Sequence, residues 1–148
     1  MGNVVTALTY PGGKYKRIAI TATAGNLNND AVTPGLGKRY LIIEARITLV
    51  CDANASNRYI NFVKFNATPV KIFSLGSSSV LVANETGMLQ IGPIIYARGG
   101  SGGDTGTNDD YLGYTYPYMV NETDFIRISI NGGLAGDSFS GYFDVLEL

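Results

Sequence analysis

The chain has 148 residues, of which 45% are hydrophobic and 16% charged, with a formal net charge of −1. That composition excludes a disordered polymer and argues against general nucleic-acid binding, and the length fits one domain that buries roughly two-thirds of its unfolded surface. There is no histidine and one cysteine, Cys51, which excludes Ser-His-Asp and Cys-His catalysis, the common zinc sites and an intrachain disulfide.

The N-terminus has no basic-then-apolar leader and no stretch approaches a membrane span, so synthesis in a reducing cytoplasm is expected, with neither nucleic acid nor membrane as partner. Within residues 1–13, Val4, Val5, Leu8 and Tyr10 are apolar and precede the break Pro11-Gly12-Gly13. This reads either as an extended arm that packs on a neighbour or as a first strand of the domain. The four residues are therefore candidate interface positions, and 14–148 is the domain proper.

From residue 17 onward the apolar pattern has period two. RIAITATA (17–24) places Ile18 and Ile20 on one face. GLGKRY (35–40) lacks the third glycine of a dinucleotide fingerprint. YLIIEARITLVCD (40–52) alternates, with Leu41, Ile43, Ala45, Ile47, Leu49 and Cys51 inward and Ile42, Glu44, Arg46, Thr48 and Val50 outward. RYINFVKF (58–65) alternates again after the turn-rich DANASN, so 40–65 reads as a hairpin. Further strands are expected at 70–75, 79–83 and 88–97. FIRISI (125–130) turns Ile126, Ile128 and Ile130 inward, and SFSGYFDVLEL closes the chain with Phe139, Phe143 and Val145 inward. No window has convincing helical period. The sequons at Asn54, Asn66, Asn84 and Asn121 read as turn residues.

The stretch GGSGGDTGTNDD (99–110) has no lysine and no following helix, so it is not a phosphate loop. Asp104, Asp109 and Asp110 offer oxygen ligands, but their spacing matches no calcium loop, and a plain surface loop is the expectation, with neither metal nor cofactor. Behind it, Tyr111 precedes Tyr114, Tyr116 and Tyr118, which alternate and would share a face in an extended chain. They are candidate contact residues or, equally, core filling. A catalytic carboxylate pair is not apparent, and a non-enzymatic role is expected.

Charge is uneven along the sequence. Residues 1–39 carry Lys14, Lys16, Arg17, Lys38 and Arg39 against Asp30, whereas 99–148 carries eight acids against Arg127. Either these are solvated faces or a basic end meets the acidic end of a neighbouring subunit.

The pattern predicts an all-β, single-domain, jelly-roll-like β-sandwich of eight or nine antiparallel strands with an N-terminal extended arm. An apolar arm, a glycine-rich β-domain, no catalytic equipment and the ending FIRISINGGLAGDSFSGYFDVLEL together resemble the jelly-roll decoration (cement) proteins of tailed bacteriophages. The resemblance implies a virion structural protein made in the host cytoplasm. It would form a homotrimer on the capsid surface, contact the major capsid protein and stabilise the head shell. A receptor-binding or fibre-tip domain and a carbohydrate-binding module are the alternatives.

Overall fold

A computed structural model describes residues 12–22, 28–76, 80–93, 107–114 and 118–148. Ten strands are described: β1 (Lys14–Ala22), β2 (Asn28–Val32), β3 (Tyr40–Val50), β4 (Tyr59–Phe65), β5 (Lys71–Gly76), β6 (Thr86–Pro93), β7 (Thr107–Tyr114), β8 (Tyr118–Val120), β9 (Phe125–Asn131) and β10 (Ser138–Glu147). One sheet runs β1-β10-β3-β6-β7, with β8 also on β3; the other runs β2-β9-β4-β5.

The pairs β1–β10, β2–β9, β3–β6 and β4–β5 are all antiparallel, as in one long hairpin folded back on itself. That hairpin is rolled until β10 also pairs with β3 and β9 with β4. This is the jelly-roll order, two sheets that share one core.

The inward residues expected in β9 and β10 are buried: Ile126, Ile128, Ile130, Phe139, Phe143 and Val145. In β3 the expected register holds for Ala45, Ile47, Leu49 and the following Cys51, and fails before them. Asp144 lies opposite Glu44 but Val145 lies opposite Ile42, so Ile43 is an extra residue in the ladder. The bulge inverts the alternation, and Tyr40 and Ile42 join the core instead of Leu41 and Ile43. Leu41 is nevertheless buried, as is its cross-strand neighbour Leu146.

Residues 40–65 do not form a hairpin. β3 belongs to the larger sheet and β4 to the smaller, so their apolar faces cover one another across the core. Phe62 of β4 meets Phe143 of β10 edge-on with ring centroids 5.4 Å apart. Likewise β9 and β10 lie in different sheets, and β10 is a central strand between β1 and β3. The segment expected as a strand at 79–83 contributes a single bridge, Leu81 with Arg58. Three strands were missed, the three-residue β8 among them. β2 is short and polar, and β7 begins at Thr107 inside the expected loop, where it pairs with β6 in parallel. A parallel neighbour needs a long crossover, and residues 94–106 supply the length.

Arg58 locks the crossover between β3 and β4. Its guanidinium is fully buried; Nε and Nη2 donate to the two oxygens of Asp137 at 3.0 Å each, and Nη2 also donates to Asp52 Oδ1 at 2.6 Å. Nη1 donates to the carbonyls of Asn54 and Ser56. Burial pushes the Asp137 carboxyl up, but Arg58 and the backbone N–H groups of Asp52 and Leu134 outweigh it and hold the acid below its ordinary range. Among the described residues no buried side-chain nitrogen or oxygen lacks a hydrogen-bond partner.

Candidate interaction surface

The registers place several segments at one end of the sandwich. Val32 and Phe65 lie opposite the first residues of β9, and Lys71 lies opposite Phe65. Tyr40 lies between Val120 and Glu147, and Glu147 lies opposite Lys14. The connections 33–39, 66–70 and 121–124 therefore open onto the same end as the start of β1.

Among the described residues, this end carries four of the six large exposed hydrophobic ones: Leu36, Val70, Tyr15 and Ile72, the remaining two being Val50 and Val82 at the far end. Leu36 stands out at 92% exposure. It is held between Gly35 and Gly37, whose φ angles of 86° and 72° lie in the left-handed region that suits glycine. The Lys38 N–H donates to the Gly35 carbonyl at 3.2 Å, and the Gly37 N–H donates to Glu122 Oε2 at 2.6 Å. The finger is thus a tied turn that presents an aliphatic tip to water.

The same end carries Lys14, Lys16, Lys38, Arg39 and Lys71, and the carboxylates of Glu122, Asp124 and Glu147. Lys14, Tyr15, Lys16, Lys38 and Glu147 line a depression of about 320 Å³; Gly37, Lys38, Arg39, Asn121 and Glu122 line another of about 300 Å³. Lys38 Nζ reaches Glu147 Oε1 at 3.2 Å, and Lys16 Nζ donates to the Tyr40 hydroxyl at 3.0 Å. The bond from Lys38 holds Glu147 below the ordinary carboxylate range, and the Tyr40 hydroxyl, more than Glu147, raises Lys16. One carboxylate is thereby shared by two lysines. Among the described residues, none forms an ion pair or hydrogen bond with the side chain of Lys14 or Arg39.

The outward face of the larger sheet is organised differently. Arg17 Nε and Nη2 each donate to Asp144 at 2.7 Å, and the guanidinium lies 4.0 Å from the centroid of the Tyr142 ring. The Tyr142 hydroxyl and Gln90 Nε2 both donate to Glu44 Oε1 at 3.0 Å. Burial raises the Asp144 carboxyl, while Arg17 and the Tyr15 hydroxyl outweigh it and hold the acid low. Glu44 and Asp144 are cross-strand partners on one face, one place where the carboxylate pair that sugar hydrolysis needs could be sought. Both already accept hydrogen bonds from the protein. Among the described residues no group of three acids or cysteines could hold a metal ion.

The turn reading of the sequons holds. Asn84 has a φ of 62°, Asn66 Oδ1 accepts from the N–H groups of Thr68 and Val70, and Asn121 pairs with Asp124. Of the candidate contact residues, Val4, Val5, Leu8, Tyr10 and Tyr116 lie outside the described residues, as do Asp104 and the glycine-rich 99–106. Tyr111 and Tyr114 lie in β7, where the backbone alone is described. Tyr118, in β8, is half-buried and packs against the core. The charge asymmetry along the sequence is partly offset in the fold. β1 lies antiparallel on β10, so Arg17 meets Asp144, and Lys16 and Lys38 meet Glu147.

Sequence reading missed the Leu36 finger. Its signal is an aliphatic residue between two glycines and directly before Lys-Arg, in a segment weighed above only as a nucleotide fingerprint. Comparison of the chain with protein-family models, with curated proteins and with solved structures finds no match.

Proposed function

We propose that this protein is a non-enzymatic attachment module, a decoration (cement) protein that binds the major capsid protein of a tailed bacteriophage and stabilises its head shell. The observation that carries the reading is the convergence of exposed apolar tips and cations on one end of a jelly roll. Such a patch is costly in water and gains when covered. Removing a side chain the size of leucine from water is worth about 2 kcal/mol, too little for firm attachment by one copy. A homotrimer seated on a repeating lattice multiplies that gain without any single strong contact. The absence of catalysis is supported by the state of Glu44 and Asp144: one is engaged by Gln90 and Tyr142, the other gripped by Arg17. A general acid needs a raised rather than a lowered carboxyl.

The test is co-sedimentation of the purified protein with phage heads assembled without it, together with their resistance to heat and osmotic shock. Binding at saturable copy number with tougher heads is the expected result. No binding, with retention on a glycan array instead, would replace the shell by a sugar. Light scattering checks assembly, and a monomer at micromolar concentration would remove the trimer.

A further inference from the structure

We infer that the end of the sandwich bearing the Leu36 finger is a docking face, and that its partner is an acidic protein surface with an apolar recess that receives Leu36. This rests on the shell-attachment reading in taking the partner to be protein. Three features converge on it. Leu36 is 92% exposed although its backbone is tied by two hydrogen bonds, so little ordering remains to be done on insertion. Lys38 and Arg39 follow the finger directly and Lys14 and Lys16 line a depression with Lys38, in a chain whose net charge is −1, so the cations are gathered and not merely abundant. The three acids of this end are engaged, Glu122 by the finger's backbone, Asp124 by Lys64 and Glu147 by Lys38. The unengaged potential is therefore positive, and it complements a negative surface.

An anionic membrane would satisfy the charge but not the shape. One short tied finger suits a recess better than an acyl layer, where anchoring usually takes a larger apolar area beside the charge.

The experiment compares wild type with Leu36→Asp, Lys38→Glu/Arg39→Glu and, at the far end, Val82→Asp. All four positions are exposed; Leu36→Asp and Val82→Asp should melt like wild type, while Lys38→Glu/Arg39→Glu loses the Lys38–Glu147 ion pair and is compared at a temperature where circular dichroism shows it fully folded. On heads assembled without the protein, the Leu36 and Lys38/Arg39 variants should each bind about tenfold or more weakly, and the Val82 variant like wild type. Raised salt should weaken wild type and leave the charge-reversed variant little changed. Equal binding by all four overturns the docking face while shell attachment stands.

If wild type does not bind heads, shell attachment fails and the face is judged separately. The wild type is then titrated with poly-L-glutamate and followed by amide NMR. Shifts gathered at Lys14, Lys16, Lys38 and Arg39, and lost in the charge-reversed variant, retain it. Scattered or absent shifts overturn it. Tighter binding to phosphatidylcholine–phosphatidylglycerol vesicles than to poly-L-glutamate overturns the choice of a protein partner.

Discussion

Arg17 and Asp144, 127 positions apart in sequence, face each other across β1 and β10 with both carboxylate oxygens bound to one guanidinium at 2.7 Å. Arg17 is half exposed and Asp144 is nearly buried, so the pair sits where the edge of the larger sheet meets solvent. It anchors a polar chain that runs over four strands, from Tyr15 and Arg17 through Asp144 and Tyr142 to Glu44 and Gln90. Besides the antiparallel ladder, the first strand is held to the last by this face and by Ile18 and Ile20 on the core side.

That arrangement predicts an acid-sensitive edge. Asp137, Asp144 and Glu147 all titrate below their ordinary values in the folded chain. A lowered folded pKa adds stability that is fully present above the unfolded value and lost as pH falls through the folded one. With no histidine, the melting temperature should be flat between about pH 6 and 8 and should fall below about pH 4. Asp144→Asn should lower melting at neutral pH and make the acid decline shallower. A steep loss between about pH 6 and 5 would show that these carboxylates do not drive the acid transition, since an unfolded carboxyl takes up its proton only near pH 4.

Removing the cation of the buried clasp should be severe. Arg58→Met leaves the Asp137 carboxylate in the interior without its guanidinium, a loss of about 3–5 kcal/mol. Arg58→Met with Asp137→Leu should recover part of it, because no uncompensated charge remains. Urea unfolding of both variants measures this. Equal losses in the single and double variants would mean that the loop geometry, not the charge, is what the clasp supplies.

The bulge at Ile43 permits an unusual deletion. Without Ile43 the strand alternates regularly and still turns Tyr40, Ile42, Ala45 and Ile47 inward. That variant should remain folded, with a loss of about 1–2 kcal/mol. Deleting Thr48, inside the regular stretch, turns one half of β3 inside out and should abolish folding. Ile47→Asp, which puts a carboxylate at a fully buried site, should do the same. Circular dichroism and soluble yield separate the outcomes, and a folded Thr48 deletion would refute the register.

Tyr118 belongs to the half-buried side chains packed on the core. Tyr118→Ala should cost roughly 1–3 kcal/mol in stability and leave the oligomeric state unchanged by light scattering. A stable variant that fails to assemble would return this ring to a contact surface.

Much of the architecture was legible in the residues themselves. Period-two alternation at 44–51, 125–130 and 138–145 fixes which side chains are buried, because a one-residue slip would turn each apolar set to water. Composition likewise leaves no room for histidine chemistry or a disulfide. What alternation cannot encode is which strand lies beside which, since every half-buried strand has the same code. Only the tertiary structure decided that β3 and β4 face each other across the core, that β7 runs parallel to β6, and that Ile43 is an extra residue. The same holds for charge. Lysines and arginines before residue 40 and acids after residue 99 look segregated along the chain, yet rolling the first strand onto the last brings them together. Pairing of strands distant in sequence depends on burial and register summed over the whole fold, and for that reason the exposed finger at Leu36 and the cations gathered at its end emerged only in three dimensions.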